Sequence, residues 1–190
     1  SEMCIRDRDN AWTQANPGLG MIIGQPETRV ANMFVNFELP TSETGKFYAF
    51  GGTTYRNGTS FGLYRTPYWV TSDFGLLTPK GQPYNGFQPE FKTDVYDYNL
   101  TSGWKGMFGK WSFDGSATFG SNAVNYVVGN TINTSLGGNS PTSFKAGGHQ
   151  FSNIIGNIDV NRNFGAIVLG AGVEVRNENY QATAGEEASY

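Results

Sequence analysis

Six runs of this chain alternate apolar and polar side chains with a period of two, which is the geometry of a β-strand with two unlike faces. In the first, Ala31, Met33, Val35, Phe37 and Leu39 share one face, and Asn32, Phe34, Asn36 and Glu38 the other. The second starts at Lys46 and runs Phe47-Tyr48-Ala49-Phe50-Gly51-Gly52-Thr53-Thr54-Tyr55. In the third, Asp94 to Gly106, Tyr96, Tyr98, Leu100, Ser102 and Trp104 oppose Asp97, Asn99, Thr101, Gly103 and Lys105. In the fourth, Lys110 to Asn122, Trp111, Phe113, Gly115, Ala117 and Phe119 oppose Ser112, Asp114, Ser116, Thr118 and Gly120. In the fifth, Gln150 to Asn161, Ile154, Gly156, Ile158 and Val160 oppose Asn153, Asn157, Asp159 and Asn161, with Ile155 the apolar exception. In the sixth, Ala166 to Glu178, Ile167, Leu169, Ala171, Val173 and Val175 oppose Val168, Gly170, Gly172, Glu174, Arg176 and Glu178.

The connections alternate in length. Short turns at Pro40–Lys46, Met107–Lys110 and Arg162–Gly165 join the runs into three hairpins. Long links, Arg56–Thr93 and Ala123–His149, separate the hairpins. Long loops in a compact domain are usually functional. Short turns at one rim and long loops at the other are the layout of outer-membrane barrels.

Runs such as Asp94–Gly106 exceed the roughly five to six residues usual in soluble sheets and suit the roughly 9–11 residues of a tilted membrane-crossing strand. The polar face is Asn, Thr, Ser, Gly and Asp with few lysines, which fits a barrel lumen better than a water-washed exterior. Aromatics gather towards run ends (Phe47, Tyr48, Tyr96, Tyr98, Trp104, Trp111, Phe113), as in interfacial girdles.

Composition excludes other classes. Charged residues are 15% of the chain, low for a soluble domain, and the net charge of −3 does not suit a nucleic-acid binder. Aromatics at 15% exclude a disordered tail, and 26 glycines disfavour a helical bundle. Cys4 is the only cysteine, so no internal disulfide forms. It lies in the octet Ser1–Arg8, which resembles an adapter-derived leader. Residues 1–8 are expected to be non-native and residues 9–190 to be one partial barrel.

Several segments together resemble the barrel of TonB-dependent receptors. They are Met33-Phe34-Val35-Asn36-Phe37-Glu38-Leu39-Pro40, Lys46-Phe47-Tyr48-Ala49-Phe50-Gly51-Gly52 with Tyr55-Arg56, and Asn85-Gly86-Phe87-Gln88-Pro89-Glu90 before Tyr98-Asn99-Leu100-Thr101-Ser102-Gly103. Most telling is Asn130-Thr131-Ile132-Asn133-Thr134-Ser135-Leu136-Gly137 leading to Ser140-Pro141-Thr142-Ser143-Phe144 and Ala146-Gly147-Gly148. Val173–Tyr180 and Ala184-Gly185-Glu186 follow in order. The resemblance implies an outer-membrane transporter of about 22 strands with an N-terminal plug, energised by the inner-membrane TonB complex. It implies outer-membrane lipid and a small nutrient molecule as further partners. No TonB box and no plug is recognisable, so the chain is expected to be an internal part of such a barrel.

Candidate sites follow from the two faces and the loops. Asn99, Asp114, Asn157, Asp159, Glu174, Arg176 and Glu178 are expected to face the lumen. Glu174 and Glu178 lie about 13 Å apart along a strand, too far for a glycosidase pair, and with Arg176 suggest an ion network. Tyr64, Arg65, Tyr68 and Trp69, in the first long link, are the candidate ligand contacts at the extracellular mouth, since aromatics and Arg suit sugars, aromatic chelates and anions. Gly58-Thr59-Ser60-Phe61-Gly62 matches a nucleophile elbow in letters but lacks a following helix. His149, the sole histidine, is expected at a loop-to-strand position without a metal or catalytic role.

The expectation is therefore an all-β protein, an antiparallel meander of about six long strands forming an unclosed part of a transmembrane barrel. It would be non-enzymatic, without cofactor or metal, reside in the outer membrane, and import a scarce nutrient (siderophore, cobalamin or saccharide). The alternative is a secreted β-sandwich carbohydrate-binding module. The two differ in what covers Val35, Leu100, Ala117, Ile158 and Leu169: lipid in a barrel, a second sheet in a sandwich.

Overall fold

The computed structural model describes residues 10–20, 22, 24 and 26–190. The octet expected to be a leader lies outside the described residues. A short helix α1 (Ala11–Ala15) precedes six strands: β1 (Glu27–Pro40), β2 (Lys46–Phe61), β3 (Glu90–Phe108), β4 (Trp111–Gly129), β5 (Ser143–Asn163) and β6 (Val168–Thr183). The strands form one antiparallel sheet in the order β1-β2-β3-β4-β5-β6, and the sheet is not closed. The expected all-β meander is thus the observed fold.

Every strand is longer than its alternating run. β5, for example, spans 21 residues and starts at Ser143, where alternation suggested Gln150. Backbone pairing continues where the apolar–polar alternation has broken down, because ladder hydrogen bonds do not depend on the side-chain pattern. The long connections shrink accordingly to 62–89 and 130–142.

The turns also move. Phe108 pairs with Trp111, so only Gly109 and Lys110 turn, and Gly109 has the φ of +63° that such a tight reversal needs. The third turn comprises 164–167, closed by Phe164 N–H donating to the Ile167 carbonyl (2.8 Å). The first is held by Thr41 N–H on the Gly45 carbonyl (2.8 Å) and by Trp104 Nε1 donating to Thr41 Oγ1 (2.8 Å). All three short turns lie at one rim and both long connections at the other, as expected.

The register keeps all apolar runs on one face, since directly paired residues share a side. Val35, Gly51, Leu100, Phe119 and Ile154 form one row across five strands, and Leu39, Phe47, Trp104, Gly115, Ile158 and Val173 a lower one. No second sheet covers this face among the described residues. Leu100 is 54% exposed and Ile158 48%, and Val35, Ala117 and Leu169 are exposed as well. Among the described residues the large apolar side chains that are buried are Phe87 and Phe144, both at the long-loop rim.

The apolar face is a band of limited height that crosses the register obliquely. On β1 its upper edge is Ala31, in a row with Tyr55, Tyr96, Ala123, Gln150 and Gln181. On β6 its upper edge is Val175, which is 181 − 175 = 6 residues nearer the short turns. Above it the face turns polar, with Ser121, Ser152, Asn177 and Asn179. Aromatics bracket the band. Tyr55 and Tyr96 (ring centroids 5.0 Å apart) border it above, and three groups of touching rings lie below: Phe37 with Phe47, Trp104 with Phe108 and Phe113, and Trp111 with Phe164. Tyr48, expected in the girdle, lies on the opposite face, one residue out of phase with Phe47.

Candidate functional site

The seven residues expected to face a lumen do share one face. Asn99 pairs with Gly120, Gly120 with Asn153 and Asn153 with Glu178; Asp114 pairs with Asp159 and Asn157 with Glu174. Arg176 bridges both its neighbours on β6, reaching Glu174 Oε1 at 2.9 Å and Glu178 Oε1 at 3.4 Å. A strand period puts i and i+2 on one side, which is what permits this triplet.

The rest of this face is tied together by hydrogen bonds. The Tyr48 hydroxyl donates to Asp114 Oδ1 (2.6 Å), and Lys105 Nζ sits 5.2 Å from the Tyr48 ring centre. The ring lies over Gly103, where a Cβ would come within 2.6 Å of it. Lys46 donates to Glu38 (2.7 Å), the Thr101 and Thr118 hydroxyls pair (2.9 Å), and Asn122 donates to Asp97 (2.5 Å). Sharing polar groups across strands satisfies them where water would otherwise be needed.

Nearer the long-loop rim, the same face carries an aromatic ladder that the sequence reading missed. His149 on β5 lies between Tyr126 on β4 (5.8 Å) and Tyr180 on β6 (6.0 Å). His149 is inside β5, paired with Val124 and Ala182, and not at the loop junction where it was expected. The parity that assigns Asn122, Asn153 and Glu178 also assigns these three. They were missed because the strands were ended too early.

At that rim the connection 62–89 folds onto α1. The helix starts where Asn10 caps the Trp12 N–H (2.9 Å). Trp12 stacks on Tyr64 (5.7 Å), meets Tyr68 edge-on (6.1 Å) and donates from Nε1 to Asn85 Oδ1 (2.5 Å). Tyr68 in turn contacts Trp69 (5.8 Å). Three of the four expected ligand contacts, Tyr64, Tyr68 and Trp69, are therefore brought together, with Trp12 as an unexpected fourth member. Arg65 pairs through its backbone with Phe87 (2.7 and 3.1 Å) and keeps an exposed side chain. Beside Tyr64 is a cavity of about 340 Å³ lined by Gln82, Asn85, Gln88 and Asn130, with no charged residue in its wall.

Asp73 organises this loop. Its carboxylate accepts the N–H groups of Gly75 (2.9 Å), Leu77 (3.0 Å) and Thr78 (2.5 Å). Burial pushes this carboxyl up, but the Thr78 side chain and the three N–H groups outweigh it and hold the pKa below the ordinary carboxylate range. Burial pushes the Tyr84 phenol up, helped by the Asp73 and Tyr64 charges; its hydroxyl donates to the Val70 carbonyl (2.7 Å).

Ser60, the elbow candidate, lies within β2, its hydroxyl 3.4 Å from the Phe91 carbonyl oxygen, with no helix after it. Among the described residues no group of three or more His, Cys, Asp or Glu could hold a metal, and no helix is long and apolar enough to cross a membrane. Compared with protein-family models and with curated proteins, the chain matches none.

Proposed function

We propose that this sheet is a wall segment of an outer-membrane TonB-dependent receptor that imports a scarce nutrient, with lipid on its apolar face and the transport lumen on its polar face. The observation that carries this reading is the oblique band. Six residues along β6 are about 20 Å, and five strand spacings are about 24 Å. A flat apolar slab draws such a slope on strands tilted by about 40°, the tilt of membrane barrels. Neither a soluble sandwich nor an enzyme core requires an exposed band with this slope. A single layer also gives the alternative, a secreted carbohydrate-binding sandwich, no second sheet to bury Leu100 and Ile158.

In this reading the short turns are periplasmic and the long loops extracellular. Ligand meets the loop aromatics and then the polar face, where Tyr126, His149 and Tyr180 stand at the level of the strand extensions above the band. A plug supplied by the rest of the receptor couples release to the TonB complex. Selection needs no covalent chemistry and no cofactor.

The test is labelling of single cysteines in a cysteine-free background of the full-length receptor, with a membrane-impermeant maleimide. Ser72→Cys is expected to react on intact cells, and Lys110→Cys only after the outer membrane is permeabilised. Reaction of Lys110→Cys alone on intact cells would reverse the orientation. Recovery of the protein in the soluble fraction would remove the membrane reading altogether.

A further inference from the structure

Among the described residues Arg162 is the one cation on the apolar face at the lower border of the band. It is paired with Leu169 and lies two residues from Val160 on the same side. Its guanidinium carbon is 5.5 Å from the Trp111 ring centre and 4.6 Å from that of Phe164, and the two rings meet edge-on (6.4 Å, 86°). Among the described residues it forms no ion pair, in contrast to Arg176, Lys46 and Lys92, and its Nε is buried without a hydrogen-bond partner. The acidic residue nearest in sequence, Asp159, points to the other face.

Two aromatic rings lie against the guanidinium and orient it, but bring no anion to its charge at the border of the apolar band. An arginine fork matches phosphate oxygens bidentately. The Lys110 ammonium, in the adjoining turn, adds positive charge to the same rim.

Resting on the membrane reading above, we propose that Arg162, Trp111 and Phe164 form a binding site for the headgroup phosphate of a phospholipid in the leaflet at the short-turn rim. The acyl chains lie along the apolar residues around it, the exposed Leu169 beside it and the half-buried Val160 and Phe113 above it. Lipid, and not free phosphate, is the occupant, because the cation is set in the margin of an apolar surface that only the chains of the same molecule cover.

The full-length receptor, purified in a neutral maltoside detergent, is titrated with phosphatidylglycerol, diacylglycerol or inorganic phosphate, and retained lipid is counted by native mass spectrometry. The unmodified protein is expected to retain phosphatidylglycerol and not diacylglycerol, with millimolar phosphate failing to displace it. Arg162→Gln is expected to weaken retention on the order of tenfold, as loss of one charge-assisted contact should, and Arg162→Lys to keep part of it. Equal retention of phosphatidylglycerol and diacylglycerol by the unmodified protein would overturn the site, whatever the variants do. So would undiminished retention by a folded Arg162→Gln. Displacement by phosphate alone would overturn the lipid assignment. Failure of the protein to enter membranes at all would be a failure of the membrane reading and is seen before any lipid is added.

Discussion

The two faces of this sheet are made by the same strands and the same backbone ladder, yet they solve opposite problems. On the polar face, side chains find one another: Tyr48 with Asp114, Asn122 with Asp97, and Arg176 with both glutamates. On the apolar face between the aromatic borders, side chains stand exposed without a covering layer among the described residues. The difference is the one that the proposed membrane reading calls for, a different solvent on each face. A polar face can be completed by hydrogen bonds within itself and with water. An apolar band of this extent on a soluble protein would be an aggregation surface, and the unpaired edges of β1 and β6 add to it.

The sharpest way to break the comparison is to place the same charge on neighbouring residues that point to opposite faces. Leu100→Arg is expected to cost about 2–4 kcal/mol of folding free energy in lipid vesicles, the penalty for Arg on a lipid face near mid-membrane. Asn99→Arg, one residue earlier, is expected to change it by less than about 1 kcal/mol. Urea titration of the full-length protein in vesicles measures both. Equal costs would mean that the faces do not meet different solvents.

Packing on the polar face is probed at Gly103. A leucine there is expected to displace the Tyr48 ring and destabilise by about 1–3 kcal/mol. Tyr48→Ala in the same chain should recover most of the loss if the clash is its cause. An additive double mutant would dismiss that packing.

The loop rim has its own keystone. Asp73→Ala is expected to cost about 1–3 kcal/mol locally by stranding three N–H groups. The pH dependence has a definite sign. The folded pKa is lowered, so the contribution is fully present above the unfolded carboxylate pKa and is lost as pH falls through the folded one. Protection of the Gly75, Leu77 and Thr78 amides from hydrogen exchange, taken relative to their intrinsic rates at each pH, should hold through the neutral range and fall only in strong acid. A fall in protection already near neutral pH would contradict the lowered pKa.

The smallest effect is expected where ion pairs are most conspicuous. Arg176→Ala removes two bridges, but all three side chains are about half exposed, so stability should change by about 0–1 kcal/mol. A larger loss would mean that this part of the polar face is shielded from water in the complete protein.

Alternation by itself determined the strand identity, the order of hairpins, and the membership of each face down to Asn99, Asp114 and Glu174, because a period of two leaves each side chain only two directions. It did not determine where strands end. Past Asn122 and Glu178 the alternation breaks down, as in Tyr126-Val127-Val128, and only backbone pairing with a neighbour extends the strand. Tyr126, His149 and Tyr180 therefore became a ladder only once the register aligned β4, β5 and β6. The loop aromatics were legible as a group, but their partner Trp12 was not, since a contact between α1 and the 62–89 connection depends on how two irregular segments fold over one rim. The slope of the apolar band belongs to the same class. Each strand states its own apolar stretch, but an angle exists only between strands, and the register is a property of the assembled sheet.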